Sequence, residues 1–99
     1  MSKIEKIREI LSEHKPELVE KYSVKEIGVF GSYVRGEEKK KSDVDVMVEF
    51  EPTASIGLLK FINMENYLSD LLGTKIDLVE KSALKPRIGK HVLKEVVNI

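Results

Sequence analysis

The sequence predicts a small α/β (α+β) protein: a mixed three-stranded sheet with helices packed on it. Three observations lead there. At 99 residues, the chain has the size of one domain with a modest core. Segments of helical and strand periodicity follow one another in the order helix, strand, turn, strand, helix, strand, helix. The connection between the first two strands is too short for a full parallel crossover, so that pair should be antiparallel and the sheet mixed.

The elements follow in order. Residues 2–13 form an amphipathic helix with Ile4, Ile7, Ile10 and Leu11 on one stripe. Ser2 is a candidate N-cap, and Glu5 completes a capping box. Pro16 is expected to restart a short second turn carrying Leu18, Val19 and Tyr22, because a first helical turn needs no N–H from it. Residues 24–30 (VKEIGVF) read as a strand ending at Gly31, residues 33–36 as a helical turn, and GEEKKKS at 36–42 as a polar loop. In residues 43–50 (DVDVMVEF), Val44, Val46, Val48 and Phe50 alternate onto one face. Residues 56–72 should be a helix with Leu58, Leu59, Ile62, Leu68, Leu71 and Leu72 inward, stopped by Gly73. Residues 75–80 (KIDLVE) give a third strand. Residues 86–96 give a last helix with Ile88, Val92, Leu93 and Val96 inward.

Composition narrows the function. Seventeen Lys and Arg balance 17 Asp and Glu, which argues against a general nucleic-acid coater. A hydrophobic content of 41% is too high for a disordered tail. No apolar run approaches a membrane span, and the N-terminus lacks the pattern of a signal peptide, so a cytoplasmic protein is expected. With no cysteine, disulfides, thiolate metal sites and cysteine nucleophiles are excluded.

The chemistry concentrates between Gly31 and Phe50. Asp43 and Asp45 interrupt an apolar strand two residues apart, so their side chains share a face. Asp is depleted in strands, and two adjacent carboxylates repel. A divalent cation such as magnesium would compensate both. Alternatively, Asp43 caps the strand start and Asp45 lies on a solvated edge; the pattern favours the cation. Asp77 likewise interrupts the strand at 75–80 and could join the pair from a neighbouring strand; taken alone an exposed edge charge explains it at least as well, but three acids on two apolar strands are jointly more telling. Gly31-Ser32 follows an apolar strand, where a glycine admits close approach of a ligand and a hydroxyl with free N–H groups attracts anions. Phosphate and carboxylate elements together imply a metal–nucleotide complex. Lys39-Lys40-Lys41 could steer a triphosphate, but a solvated loop tip beside Glu37 and Glu38 explains it better. His14 and His91 lie far from this stretch in sequence and read as ordinary helix residues. Phe30, Phe50 and Phe61 read as core.

GSYVRG at 31–36 followed by SDVDVMV at 42–48 resembles the signature of the DNA polymerase β-like nucleotidyltransferase superfamily. Gly31-Ser32 is followed by ten residues, Tyr33 to Ser42, and then by Asp43-Val44-Asp45. With Arg35-Gly36, the KIDLVEK segment at 75–81 and the LKPRIGKHVLKEV tail at 84–96, the chain is similar over nearly its whole length to the minimal nucleotidyltransferases, the MNT or MntA-like proteins. The resemblance implies one nucleotidyltransferase domain over residues 1–99. It implies that Asp43, Asp45 and Asp77 are the catalytic acids holding two magnesium ions, and that Gly31 and Ser32 bind the phosphates of ATP. Arg35 matches a recurrent arginine that contacts phosphate or pairs with an acid to hold the turn, the second being favoured. Tyr33 departs from the many relatives that carry arginine there.

The implied reaction is attack of a hydroxyl on the α-phosphate with loss of pyrophosphate. In the MNT group the resemblance points to a type VII-like antitoxin that transfers AMP from ATP to a tyrosine of a HEPN-domain toxin. No direct nucleic-acid or membrane partner is expected, and a homo-oligomer is compatible with the apolar helices. Two other readings stay open: a nucleotidyltransferase with a small-molecule hydroxyl acceptor, against which the short chain counts, and a non-catalytic antitoxin that masks its partner by binding.

Overall fold

The computed structural model describes residues 3–39 and 42–99; Ser2, Lys40 and Lys41 lie outside the described residues, and with them the expected N-cap and two thirds of the basic run. Helix α1 (Lys3–Tyr22) leads into strand β1 (Val24–Phe30), the one-turn helix α2 (Ser32–Arg35) and strand β2 (Val44–Phe50). Helix α3 (Leu58–Leu72), strand β3 (Ile76–Glu80), a 3₁₀ turn (Lys81–Ala83), helix α4 (Pro86–Glu95) and strand β4 (Val97–Asn98) follow.

The sheet has the order β3-β2-β1-β4. β1 runs antiparallel to β2, as the short connection requires, and antiparallel to β4. β2 and β3 are parallel, joined through α3. The sheet is therefore mixed, with four strands where three were expected. The fourth is two residues long, too short to carry a period that pattern reading could detect.

Val44, Val46 and Val48 are fully buried and pair in register with Ile76, Leu78, Val29 and Ile27 on one sheet face. Helices α1 and α3 cover that face with Ile7, Leu11, Leu18, Tyr22, Met64 and Leu68. The opposite face carries Phe30, Asp45, Met47, Asp77 and Val79, and α4 packs near its end.

Three expectations need correction. α1 does not break at Pro16 but runs through it. Ile7, Leu11, Leu18 and Tyr22 follow at spacings that keep one helical stripe, all against the core. An interior proline costs about 3 kcal/mol, and burying Leu18 and Tyr22 in line with Leu11 outweighs it. On α3 the inner stripe is Phe61, Met64, Leu68 and, partly, Leu71 and Leu72; Leu58, Leu59 and Ile62 are 74%, 83% and 42% exposed. Leu59 and Ile62 fall on the far side of the helical wheel from Met64, and Leu58 sits on its first turn. On α4, Val92 is buried as expected, but Ile88 and Leu93 are exposed, and Val96 has left the helix to begin the approach to β4.

Candidate active site

β1 is followed by Gly31, whose φ of 83° and ψ of −155° lie in a region open essentially to glycine alone. The tight turn this makes has a second cause. A Cβ at Gly31 would stand 2.0 Å from Asp45 Oδ2, so the missing side chain is what lets the turn lie against the acid strand. α2 then winds for one turn, its Val34 and Arg35 N–H groups donating to Gly31 O at 3.1 and 3.2 Å. The N–H groups of Ser32 and Tyr33 precede these bonds and so have no intrahelical acceptor. The Tyr33 ring is buried in the core and its hydroxyl donates to Ser42 O at 3.3 Å. It is packing, not a stand-in for a phosphate-binding arginine.

The three acids come from β3, β2 and the residue before β2. Asp45 lies in β2 and Asp77 opposite it in β3, in direct register. Asp43 immediately precedes β2, half-buried, with Lys75 Nζ 3.9 Å from its carboxylate. The Asp45 carboxyl is pushed up, first by burial, then by the charges of Asp77 and Asp43; Arg35 opposes the shift and Glu95 adds to it. Asp43, Asp45 and Asp77 thus share one electrostatic neighbourhood.

Among the described residues no group of three or more His, Asp or Glu side chains is gathered closely enough to enclose a metal ion. The donor chemistry nonetheless suits magnesium. It offers hard carboxylate oxygens, one of them desolvated and repelled by its neighbours, so a divalent cation would relieve that repulsion. Magnesium characteristically keeps waters and takes substrate phosphate oxygens beside one or two carboxylates, and is rarely held in an all-protein cage. An open arrangement of acids next to a glycine turn fits that mode.

Arg35 lines the cleft beside Asp45 and Asp77 but pairs with two other carboxylates. Its Nε is 2.9 Å from Glu37 Oε2 and its Nη1 is 2.6 Å from Glu95 Oε1. Both carboxylates hold the guanidinium charged. Glu95 does more, since its Oε2 accepts the Gly31 N–H at 3.0 Å. Neither Glu95 nor His91 stood out from the sequence. Both line a cleft of about 420 Å³ with Phe30, Gly31, Asp45 and Asp77. The only available signal was that Glu95 is the sole acid in α4, a helix otherwise rich in Lys and Arg.

Residues 4–99 match the nucleotidyltransferase domain family. The chain belongs to that family. It is 58% identical over 99 residues to a protein adenylyltransferase MntA of Thermococcus cleftensis, spanning all of this chain and 98% of the relative. A relative in Methanocaldococcus jannaschii, provisionally assigned as a protein adenylyltransferase, is 49% identical over 100 residues, covering both chains fully. Among solved structures, one provisionally assigned as a minimal nucleotidyltransferase superposes with a TM-score of 0.75 at 30% identity, covering 100% of this chain and 97% of that one. A structure of a tri-AMPylated Shewanella oneidensis HEPN toxin in complex with MNT antitoxin matches with a TM-score of 0.67 at 16% identity, covering 93% of this chain and 70% of the other. The chain is a nucleotidyltransferase of the minimal, MntA-like kind, with a mixed α+β fold as expected. Among the described residues no helix is long and apolar enough to cross a membrane.

Proposed function

We propose that the chain transfers AMP from ATP, with magnesium, to a tyrosine hydroxyl of a HEPN-domain partner in the cytoplasm, and so acts as a type VII-like antitoxin built from one domain. The observation that carries this reading is the register pairing of Asp45 with Asp77 beside the Gly31 turn, in a chain 58% identical to a protein adenylyltransferase. The partner class is carried over from the neighbour of the same fold that is seen with a HEPN toxin.

Each residue has a role in that reading. Asp43, Asp45 and Asp77 would hold the magnesium ions. Bound magnesium supplies neutralisation of the triphosphate and acidification of the attacking hydroxyl. The Gly31-Ser32 turn receives phosphate oxygens on backbone N–H groups and the Ser32 hydroxyl. Asp77, exposed on β3, takes the proton of the acceptor hydroxyl as its oxygen bonds to the α-phosphorus. The bond from that phosphorus to the β-phosphate bridging oxygen breaks, and pyrophosphate leaves. Arg35 acts structurally, tying the turn to Glu37 and Glu95. Positioning and charge stabilisation carry most of the rate.

The test is intact-mass spectrometry of both chains after incubation with ATP, magnesium and a HEPN-domain protein encoded beside this chain. Added AMP on the partner, lost with Asp43→Asn/Asp45→Asn, is the expected result. A stable complex with no added mass would replace this reading with masking by contact. AMP on a small molecule but not on the partner would replace the acceptor.

A further inference from the structure

We propose that Glu95 is a positioning residue for nucleotide binding, its carboxylate holding the Gly31–Arg35 turn in phosphate-binding shape. This rests on the nucleotidyl-transfer reading above. One carboxylate spans both ends of the turn, with Oε2 on the Gly31 N–H at 3.0 Å and Oε1 on Arg35 Nη1 at 2.6 Å. Charge-assisted bonds of this kind are short and strong and fix geometry as well as energy.

Glu95 stands where a helix does not favour an acid. It is the last residue of α4, at the negative end of the helix dipole. The Arg35 guanidinium and the Gly31 amide supply the compensation that the helix itself denies. Its seat is rigid. Two residues on, β4 pairs with β1 through Val97 to Val29 and Asn98 to Gly28, and Ile99 N donates to Ile27 O at 3.0 Å. The approach is so close that a Cβ on Gly28 would stand 2.5 Å from Val96 Cγ2. Glu95 is therefore clamped between a helix and a strand hydrogen-bonded to the very strand that leads into Gly31. Its side chain is only 21% exposed.

With the Gly31 N–H committed to Glu95, the amides left for phosphate in that reading are the next ones along, Ser32 and Tyr33. Glu95 also pairs with Arg35, which lines the same cleft as Asp45 and Asp77.

The experiment is a magnesium–ATP titration of the full chain and its Glu95→Ala and Glu95→Gln variants, alongside the Gly31 amide resonance in ¹H–¹⁵N spectra and, with the partner present, KM and kcat. Loss of a charge-assisted anchor is expected to weaken ATP about tenfold or more in Glu95→Ala. KM rises while kcat changes little, because binding alone is lost, and the Gly31 amide shifts. Glu95→Gln retains an acceptor for Gly31 and recovers part of the loss. Equal ATP affinity in Glu95→Ala would overturn the proposal, and tighter affinity would recast Glu95 as a competitor of phosphate. If Glu95→Ala fails to fold, unchanged affinity in Glu95→Gln together with an unmoved Gly31 amide would overturn it. A wild-type chain that binds no ATP would overturn the proposed function and this inference with it, an outcome distinct from equal affinities.

Discussion

Gly31→Ala puts two costs at one atom. The backbone at φ 83°, ψ −155° is open essentially to glycine, and holding another residue there costs about 1–3 kcal/mol. The new Cβ would also lie 2.0 Å from Asp45 Oδ2, 2.9 Å from its Cγ and 3.2 Å from its Cβ. The Asp45 backbone cannot retreat, because it is held in register between Phe30 and Asp77; the carboxylate must rotate out of its place. Overpacking of this kind adds about 1–3 kcal/mol, partly relieved by that rotation, for a total near 2–4 kcal/mol. Gly36 is the control. Its φ is also positive, at 71°, but nothing lies within 4 Å of its Cβ position, so Gly36→Ala should cost only about 1–2 kcal/mol. Urea unfolding of the three proteins measures the difference, and magnesium-dependent ATP binding measures the displaced carboxylate. Gly31→Ala is expected to lose both stability and binding, whereas Gly36→Ala keeps its binding. Equal stability of the two variants with full ATP binding in Gly31→Ala would refute the close packing of turn on acid strand.

Other outcomes follow from the same packing and charges. The Asp45 carboxyl is raised above its ordinary 3.8, so the fold is favoured with this group protonated; that stability is lost as pH rises from about 3.8 through the raised value, and ionised Asp45 is a cost at neutral pH. Asp45→Asn should therefore melt higher than wild type at pH 7 without magnesium, with the advantage vanishing below pH 3.8; a lower melting point at pH 7 would contradict this. Ser23 closes α1 at φ 56°, so Ser23→Gly should stabilise by about 0.5–1 kcal/mol in denaturant unfolding. Leu68→Ala should cost about 2–5 kcal/mol and Leu59→Ala less than about 0.5 kcal/mol; the reverse order would place the α3 stripe on the wrong face.

The acids were legible because a charged residue in a strand of valines violates its surroundings, and violations need a cause. Asp43 and Asp45 announce themselves within three residues, and Asp77 does so inside a shorter run. The antiparallel β1–β2 pair was legible from connection length. What was lost depended on contacts distant along the chain. Glu95 meets Gly31 across 64 positions, and no local pattern encodes that meeting. His91 enters the cleft for the same reason. Leu58, Leu59 and Ile62 were placed inward because leucine and isoleucine count as core in any periodic reading; only the sheet beneath α3 decides which stripe is covered. Pro16 was read by its intrinsic preference, which tertiary packing of Leu18 and Tyr22 overrode.

The most direct test of the account is where magnesium–ATP binds on the isolated chain, followed by ¹H–¹⁵N amide shifts on titration. Shifts centred on Gly31, Ser32, Asp45 and Asp77, absent without magnesium and abolished in Asp43→Asn/Asp45→Asn, are the expected result. Binding that leaves these amides unmoved, or that persists unchanged in the double variant, would contradict a metal–nucleotide site at the Gly31 turn.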